Sequence, residues 1–194
     1  TFILSKFLTD YDYEELAEYA QKAYERFDGQ PAPIVKVDEK TYIMELWHGP
    51  TLAFKDIALT ILPYLLTGAR KKAKIDKTTL ILVATSGDTG KAALEGFKDV
   101  EGTEIVVFYP SEGVSEMQKL QMQTTTGKNV HIVGIDGNFD DAQNAVKDIF
   151  SDETMKKKLA DMGYVLSSAN SINFGRLAPQ IVYYISAYAD LVIN

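Results

Sequence analysis

The residue with the clearest chemical potential is Lys55, which follows the turn Gly49-Pro50-Thr51 and lies among apolar side chains. Thr51 is a typical N-cap residue, so we expect a helix to begin here with Lys55 in its first turn, at the positive end of the helix dipole. Desolvation by apolar neighbours would further favour a neutral amine, which is the nucleophile that forms a Schiff base. These neighbours are Trp47, Leu52, Phe54 and Ile57. The alternative is an ordinary lysine that extends from a helix start into water.

A second stretch is typical of a strand, a loop and a helix. The apolar run 79–84 passes into Thr85-Ser86-Gly87-Asp88-Thr89-Gly90, and such a junction presents backbone N–H groups to an anion. The G-x-G-x-x-G and Walker A nucleotide-binding patterns are both absent. Three hydroxyls, two glycines and one carboxylate in six residues instead favour a site for a small carboxylate ligand. The alternative is a helix-capping loop with an acidic first turn.

A third segment, Ser168-Ala169-Asn170-Ser171-Ile172-Asn173-Phe174-Gly175-Arg176, ends on an arginine. Together, in this order and spacing, the three segments resemble threonine synthase, a pyridoxal-phosphate enzyme of the tryptophan-synthase-β fold group. The resemblance runs from about Pro31 to the end of the chain. It implies the α/β architecture of fold type II enzymes that depend on this cofactor.

The resemblance also implies roles for individual residues. Lys55 would hold pyridoxal 5'-phosphate as a Schiff base and then move protons between the substrate carbons. The substrate would be O-phospho-L-homoserine, which loses phosphate before water adds to give L-threonine. Its carboxylate would be bound by Thr85, Ser86 and Gly87. Its phosphate would be bound by Thr89, Ser171, Asn173 and Arg176.

Two charged residues of these motifs have chemistry of their own. Asp88 stands where many enzymes of the fold group use asparagine to meet the phenolic oxygen of the cofactor. A carboxylate cannot donate a hydrogen bond unless it is protonated, so we expect a shared proton or an altered ring charge. Arg176 offers a planar fork of donors that suits a phosphate dianion. Its alternative is a surface ion pair on a helix face.

Composition excludes several classes of protein. The 194 residues are 46% hydrophobic and 24% charged, which suffices for one globular core or somewhat more. A net charge of −7 argues against nucleic acid and anionic membranes as partners. The absence of cysteine fits a reducing cytoplasm, and no apolar run approaches the roughly 20 residues of a membrane span. We therefore expect a cytoplasmic enzyme, without a metal site because the two histidines, His48 and His131, lie far apart.

The chain alternates strands and helices in its second half, which predicts a parallel sheet covered on both faces in a three-layer α/β/α arrangement. The four strands are Leu80–Ala84, Ile105–Tyr109, Val130–Ile135 and Tyr164–Ser168. A hairpin is expected from 34–37 and 41–47. Helices are expected near 10–27, 54–70, 90–98, 115–124 and 140–158, and a last helix is expected to end near Leu191. Pro63 would kink the second of these helices or start part of it. Tyr183, Tyr184 and Tyr188 of the last helix are expected to lie in the core. Loops 85–90 and 169–176 then open at the carboxyl edge of the sheet, where ligands bind in such folds.

By the same resemblance, residues 1–78 supply N-terminal helices, the hairpin and the lysine segment of a large domain, and residues 79–194 form a small Rossmann-like domain. The glycine-rich loop that binds the cofactor phosphate in the family has no counterpart here, nor does the residue that meets the pyridine nitrogen. We therefore expect a fragment with an incomplete fold that lacks the C-terminal portion of the large domain. Such a fragment would bind the cofactor weakly, make no threonine and self-associate through exposed apolar surface.

Two other functions stay open from the sequence. One is another fold type II lyase, such as a phospho-lyase or a serine/threonine dehydratase, which would share Lys55 and the sheet. A dehydratase would have no use for Arg176. The other is a non-catalytic α/β fragment that binds a small anion.

Overall fold

The computed structural model describes residues 1–193, in which two sheets are formed. Strands β1 (Ile34–Lys36) and β2 (Tyr42–Met44) pair antiparallel, as the predicted hairpin requires. Strands β3 (Thr78–Ala84), β4 (Thr103–Pro110), β5 (Val130–Ile135) and β6 (Tyr164–Ser168) form a four-stranded sheet in the order β5-β4-β3-β6. All three of its strand pairs are parallel, so the predicted sheet is confirmed.

The helices are α1 (Phe2–Ser5), α2 (Tyr13–Tyr24), α3 (Asp56–Leu59), α4 (Leu62–Lys72), α5 (Asp88–Phe97), α6 (Glu116–Gln123), α7 (Phe139–Ser151), α8 (Glu153–Asp161), α9 (Phe174–Leu177) and α10 (Ile181–Tyr188). A short 3₁₀ turn, Ala178–Gln180, joins α9 to α10, and a π turn, Ala189–Ile193, follows α10. Within residues 1–193, no helix is long and apolar enough to cross a membrane.

Three long helices of the sequence prediction are interrupted. The expected helix 54–70 is two helices, and Pro63 lies in the first turn of the second, where its missing N–H costs no helical hydrogen bond. The expected helix 140–158 is broken at Asp152, whose backbone is extended and whose carboxylate accepts from the amides of Thr154 and Met155. The last helix is broken at the turn that contains Pro179. Asn138 caps α7, since its side chain accepts from the amides of Asp140 and Asp141.

Helices cover both faces of the sheet. Ile81 and Val83 of β3 point to one face and pack with α3, α4, α5 and α6. Leu82 and Ala84, the alternate residues, point to the other face and pack with Ala142 and Val146 of α7. This alternation follows from the period of two along a strand. The three-layer architecture is thereby confirmed.

The C-terminal tyrosines differ from the prediction that all three are core residues. Tyr183 is only 6% exposed, but Tyr184 is 79% and Tyr188 is 61% exposed. One face of α10 packs on the N-terminal segment, with Tyr183 against Ile57 and Ala58. Neighbouring residues on a helix point about 100° apart, which turns Tyr184 away from that face. The prediction is correct for Tyr183 and wrong for Tyr184 and Tyr188.

The N-terminal helices have their own hydrophobic cluster. Leu16 and Ala23 of α2 pack with Ile61, which precedes α4, and with Leu65 of α4. Ala178, from the far end of the chain, belongs to the same cluster. The division between residues 1–78 and 79–194 stays a prediction, and this cluster joins the two parts.

Gly96 allows α5 to approach the end of α3 closely, and we expect Gly96→Ala to destabilise the fold. A Cβ at this position would lie 2.1 Å from the backbone oxygen of Leu59, an atom that cannot move independently. Overpacking of this kind costs about 1–3 kcal/mol, which outweighs the gain of up to about 1 kcal/mol from the better helix propensity of alanine. The midpoint of thermal unfolding of the full natural polypeptide measures the loss. An unchanged midpoint would show that the two helices can separate freely.

Candidate active site

Two loops flank the point in the sheet where the strand order changes direction. Strand β4 lies on one side of β3, and β6, the last strand, lies on the other. The loops that follow β3 and β6 therefore open on either side of one crevice, which is where parallel α/β sheets bind ligands. Asn170 ties their bases together, since its Oδ1 accepts from Ala84 N at 3.0 Å and its Nδ2 donates to Ala84 O at 2.9 Å.

The loop 85–90 is held in shape by Thr85. The buried hydroxyl of Thr85 accepts from Gly87 N at 3.0 Å and from Gly90 N at 2.9 Å. Gly87 has φ +156° and ψ −98°, a backbone conformation that residues with a side chain rarely adopt. The Thr85 hydroxyl is thus occupied within the loop, whereas Ser86 is exposed. The predicted contacts of Thr85, Ser86 and Gly87 with a carboxylate stay predictions.

Lys55 lies at the start of the short helix α3 and faces Asp88 across the crevice. It is the N-cap residue of α3, so the prediction that Thr51 caps this helix is wrong. The Thr51 hydroxyl and amide donate to the Asp56 carboxylate instead. Lys55 Nζ donates to Asp88 Oδ1 at 2.5 Å, and the two side chains are 17% and 40% exposed. The contact between Lys55 and Asp88 follows from the packing of α3 on α5.

The apolar surroundings expected for Lys55 are only partly present. Ile57 is buried, but Trp47, Leu52 and Phe54 are all exposed. Lys55 Nζ lies 5.2 Å from the centroid of the Phe54 ring and is paired with the Asp88 carboxylate. The apolar enclosure expected for Lys55 is therefore incomplete in residues 1–193, and its neutral amine stays a prediction.

Arg176 is the second cation near Asp88, and it is buried. Its side chain is in α9 and is 6% exposed, which excludes the alternative of a surface ion pair. Nη1 donates to Ala169 O at 3.3 Å, and the buried Nε has no hydrogen-bond partner within residues 1–193. Burial lowers the pKa of the Arg176 guanidinium, and the nearby Asp88 carboxylate opposes that shift. A buried donor without a partner is costly unless a ligand satisfies it.

The remaining candidates lie on the same two loops. Thr89 is half-buried in the first turn of α5, and Ser171 is exposed in the loop after β6. Asn173 shapes this second loop, since its Nδ2 donates to Ser168 O at 2.7 Å and its Oδ1 accepts from Gly175 N at 2.9 Å. The structure thus brings Lys55 and Asp88 into contact, with Arg176 nearby. The ligand contacts assigned to Thr89, Ser171 and Asn173 stay predictions.

A cleft of about 610 Å³ opens beside Lys55 and Asp88. Sequence reasoning missed three polar residues that line it: Lys91, Gln118 and Gln121. Lys91 lies three residues after Asp88 on α5, which places both side chains on one helix face, so this spacing was a usable signal. Gln118 comes from α6, and no local pattern predicts its approach to Gly87. Residues 1–193 contain no group of three or more side chains suited to hold a metal ion.

A sequence profile described as "Pyridoxal-phosphate dependent enzyme" matches residues 27–191. The chain belongs to this family. Pyridoxal phosphate is the cofactor on which the family depends, and the fold is that of its fold type II members. The crevice between the loops after β3 and β6, with Lys55 at its edge, is the candidate cofactor site of this family member.

Several members of the family are similar over most of the chain. Threonine synthase of Escherichia coli (strain K12) is 41% identical over 189 residues, which cover 97% of this chain and 41% of that protein. Threonine synthase-like 1 of Homo sapiens is 42% identical over 185 residues, which cover 91% of this chain and 24% of that protein. A crystal structure of pyridoxal-phosphate-bound threonine synthase from Brucella melitensis superposes with a TM-score of 0.80 at 38% identity, covering 92% of this chain and 37% of that one. The chain spans less than half the length of each of these relatives.

Proposed function

We propose that the chain is part of a threonine synthase, which converts O-phospho-L-homoserine and water into L-threonine and phosphate. The observation that carries this proposal is the buried guanidinium of Arg176, whose Nε has no partner within residues 1–193. It lies near the Lys55–Asp88 pair, at the carboxyl edge of the sheet. A phosphate dianion satisfies such a donor through charge-assisted hydrogen bonds.

The residues of the crevice fit pyridoxal phosphate. Lys55 would be its covalent attachment point, and Asp88 would face its phenolic oxygen. When bound, the cofactor supplies an electron sink for negative charge at the substrate carbons. The lysine begins as the partner of a carboxylate, so Asp88 can keep the released Nζ in place for proton transfer. Because Asp88 also lies near Arg176, its negative charge remains compensated once Lys55 is attached to the cofactor.

The two loops would divide the recognition of the substrate. Ser86, exposed at the tip of the first loop, and the backbone of Gly87 would bind the carboxylate, while Thr85 holds that loop in shape through its bonds to Gly87 and Gly90. Arg176 would bind the phosphate together with Thr89 and Ser171. For Asn173 we propose a dual role, since its amide shapes the second loop and retains one N–H for the phosphate.

Lys55 Nζ is the group best suited to move protons. It is held at the edge of the crevice by Asp88, at 2.5 Å, and its side chain is 17% exposed. A positioned amine that alternately accepts and donates a proton contributes typically 10²–10⁴-fold to a rate. Leu46, Trp47 and Phe54 form an apolar and aromatic wall of the neighbouring cleft.

The two alternatives have less support. A serine/threonine dehydratase has no phosphate to bind, which would leave the buried Arg176 donor without a purpose. A phospho-lyase would use the same donor, but the relatives at about 40% identity carry the name threonine synthase or threonine synthase-like. A non-catalytic anion-binding domain would not require a lysine held at 2.5 Å from a carboxylate that lines an open cleft.

The test uses the full natural polypeptide that contains these residues, loaded with pyridoxal phosphate. We expect it to form threonine and phosphate in a one-to-one ratio from O-phospho-L-homoserine, and to form neither from unphosphorylated homoserine. The assay also follows release of a keto acid from phosphohomoserine, serine and threonine. A keto acid as the main product would indicate a phospho-lyase or a dehydratase, and no turnover at all would favour the non-catalytic alternative.

The cytoplasmic location, the self-association of the isolated 194 residues and the weak cofactor binding expected of them stay predictions. Among the described residues, several large apolar side chains near the C-terminus are exposed, namely Tyr184, Ile185, Tyr188, Leu191, Val192 and Ile193. Exposed apolar surface of this kind supports the expected self-association.

A further inference from the structure

Asp56, the residue after Lys55, is a buried carboxylate to which the proposed chemistry gives no role. Its side chain is 1% exposed and points back into the loop 49–55 that precedes α3. Thr51 Oγ1 donates to Asp56 Oδ1 at 2.6 Å, and Thr51 N donates to Asp56 Oδ2 at 2.8 Å. Ala53 N points at the same Oδ2 from 3.5 Å. One carboxylate therefore gathers three donors from a single loop.

The loop that Asp56 closes is strained. Leu52, between the two residues whose amides face the carboxylate, has φ +59°, a left-handed conformation that non-glycine residues rarely adopt. Its side chain is exposed, so packing does not hold it there. Gly49 is at the start of the loop, where a Cβ would lie 2.4 Å from Asp56 Oδ2. The chain therefore passes directly against the carboxylate, and strain of this kind persists only where surrounding contacts impose it.

We infer that Asp56 is the positioning residue of the lysine loop: it fixes the backbone on the N-terminal side of Lys55 so that Nζ points at Asp88 and the crevice. On the C-terminal side, the buried helix α3 already fixes the backbone, and Thr60 Oγ1 donates to Asp56 O at 2.7 Å. Without the carboxylate of Asp56, the loop that precedes Lys55 would be free to leave the strained conformation. This inference rests on the proposed role of Lys55 as the attachment point of the cofactor.

The test compares two buried threonines that both bind Asp56. Thr51→Val removes a donor to its carboxylate, whereas Thr60→Val removes a donor to its backbone oxygen and leaves the loop intact. Each variant of the full natural polypeptide is mixed with pyridoxal phosphate, reduced with borohydride at successive times and digested, and the adduct at Lys55 is quantified by mass spectrometry. We expect Thr51→Val and Asp56→Asn to slow the formation of the Lys55 adduct about ten- to a hundredfold, because small misplacements of a reacting group have effects of this size.

The control outcomes separate this inference from the proposed function. Thr51→Ser should restore the rate because it restores the donor, and Thr60→Val should leave the rate unchanged while lowering the unfolding midpoint. Amide hydrogen exchange at residues 51–54 should accelerate in Thr51→Val but not in Thr60→Val. A wild-type protein without a Lys55 adduct would overturn the proposed function. If the wild-type protein forms the Lys55 adduct and Thr51→Val forms it equally fast, the role of Asp56 is overturned, even if Asp56→Asn fails to fold.

Discussion

Replacement of Lys55 with alanine in the full natural polypeptide should abolish the borohydride-stable cofactor adduct and lower kcat by at least about 10²–10⁴-fold, the range expected for one proton-transfer group. The reason is that Nζ of Lys55 is the amine positioned at the crevice, where it donates to Asp88. Peptide mapping after reduction measures the adduct, and the formation of threonine measures kcat. If an adduct persists on another lysine, such as Lys91 in the cleft beside Asp88, our assignment of the cofactor to Lys55 is wrong.

The Lys55→Ala protein should remain folded. Asp88 loses its ion-pair partner but is 40% exposed, and partly exposed pairs contribute only about 0–1 kcal/mol. Arg176 also remains nearby to compensate its charge. Lys147→Ala, an exposed position on α7 that bonds Gln143, is the matched control and should keep both the adduct and the activity. A loss of activity in both variants would indicate a general effect of removing positive charge.

Replacement of Arg176 with methionine should lower kcat/KM for O-phospho-L-homoserine by about 10- to 150-fold. This range corresponds to about 1.5–3 kcal/mol for a hydrogen bond to a charged group, at tenfold for each 1.4 kcal/mol. The methionine side chain fills a similar space, so the buried position is not left empty. The absorbance spectrum of the bound cofactor should stay unchanged, because the phosphate that Arg176 is proposed to bind belongs to the substrate.

Arg70→Met provides a control of the same chemical type. The Nε of Arg70 is likewise buried and has no partner among residues 1–193, but its guanidinium donates to Lys77 O and packs on Gly102, away from the crevice. This variant should keep kcat/KM at the wild-type value. If Arg176→Met keeps it as well, Arg176 does not bind the substrate. If both variants lose activity together, the loss reflects the removal of an arginine in general.

The sheet and its functional edge could be predicted from the sequence because both depend on local patterns. Apolar runs such as Leu80–Ala84, separated by helical segments, specify parallel strands, and parallel strands place the loops that follow them on one edge. The breaks within the helices were harder to predict. Asp152 reads as an ordinary residue within an amphipathic pattern, and only its extended backbone and capping bonds make it a boundary.

The details of the site depend on contacts between distant segments, which no local pattern contains. Thr51 is a residue type that often caps helices, but the carboxylate of Asp56, five residues later, binds its hydroxyl and its amide instead. The ion pair of Lys55 with Asp88 joins residues 33 apart in sequence. The burial of Arg176 and the bond of Asn170 to the end of β3 likewise arise only when β6 is inserted beside β3.

The lysine loop is also bonded to the last part of the chain, since Tyr183 Oη donates to Phe54 O at 2.6 Å across 129 residues of sequence. During synthesis on the ribosome, Phe54 therefore emerges long before the residue that binds it. At about 5–20 residues per second, the delay is on the order of ten seconds. A nascent chain that has not yet reached Tyr183 can form the first strands of the sheet, but the loop around Lys55 is complete only after the C-terminal helix has formed.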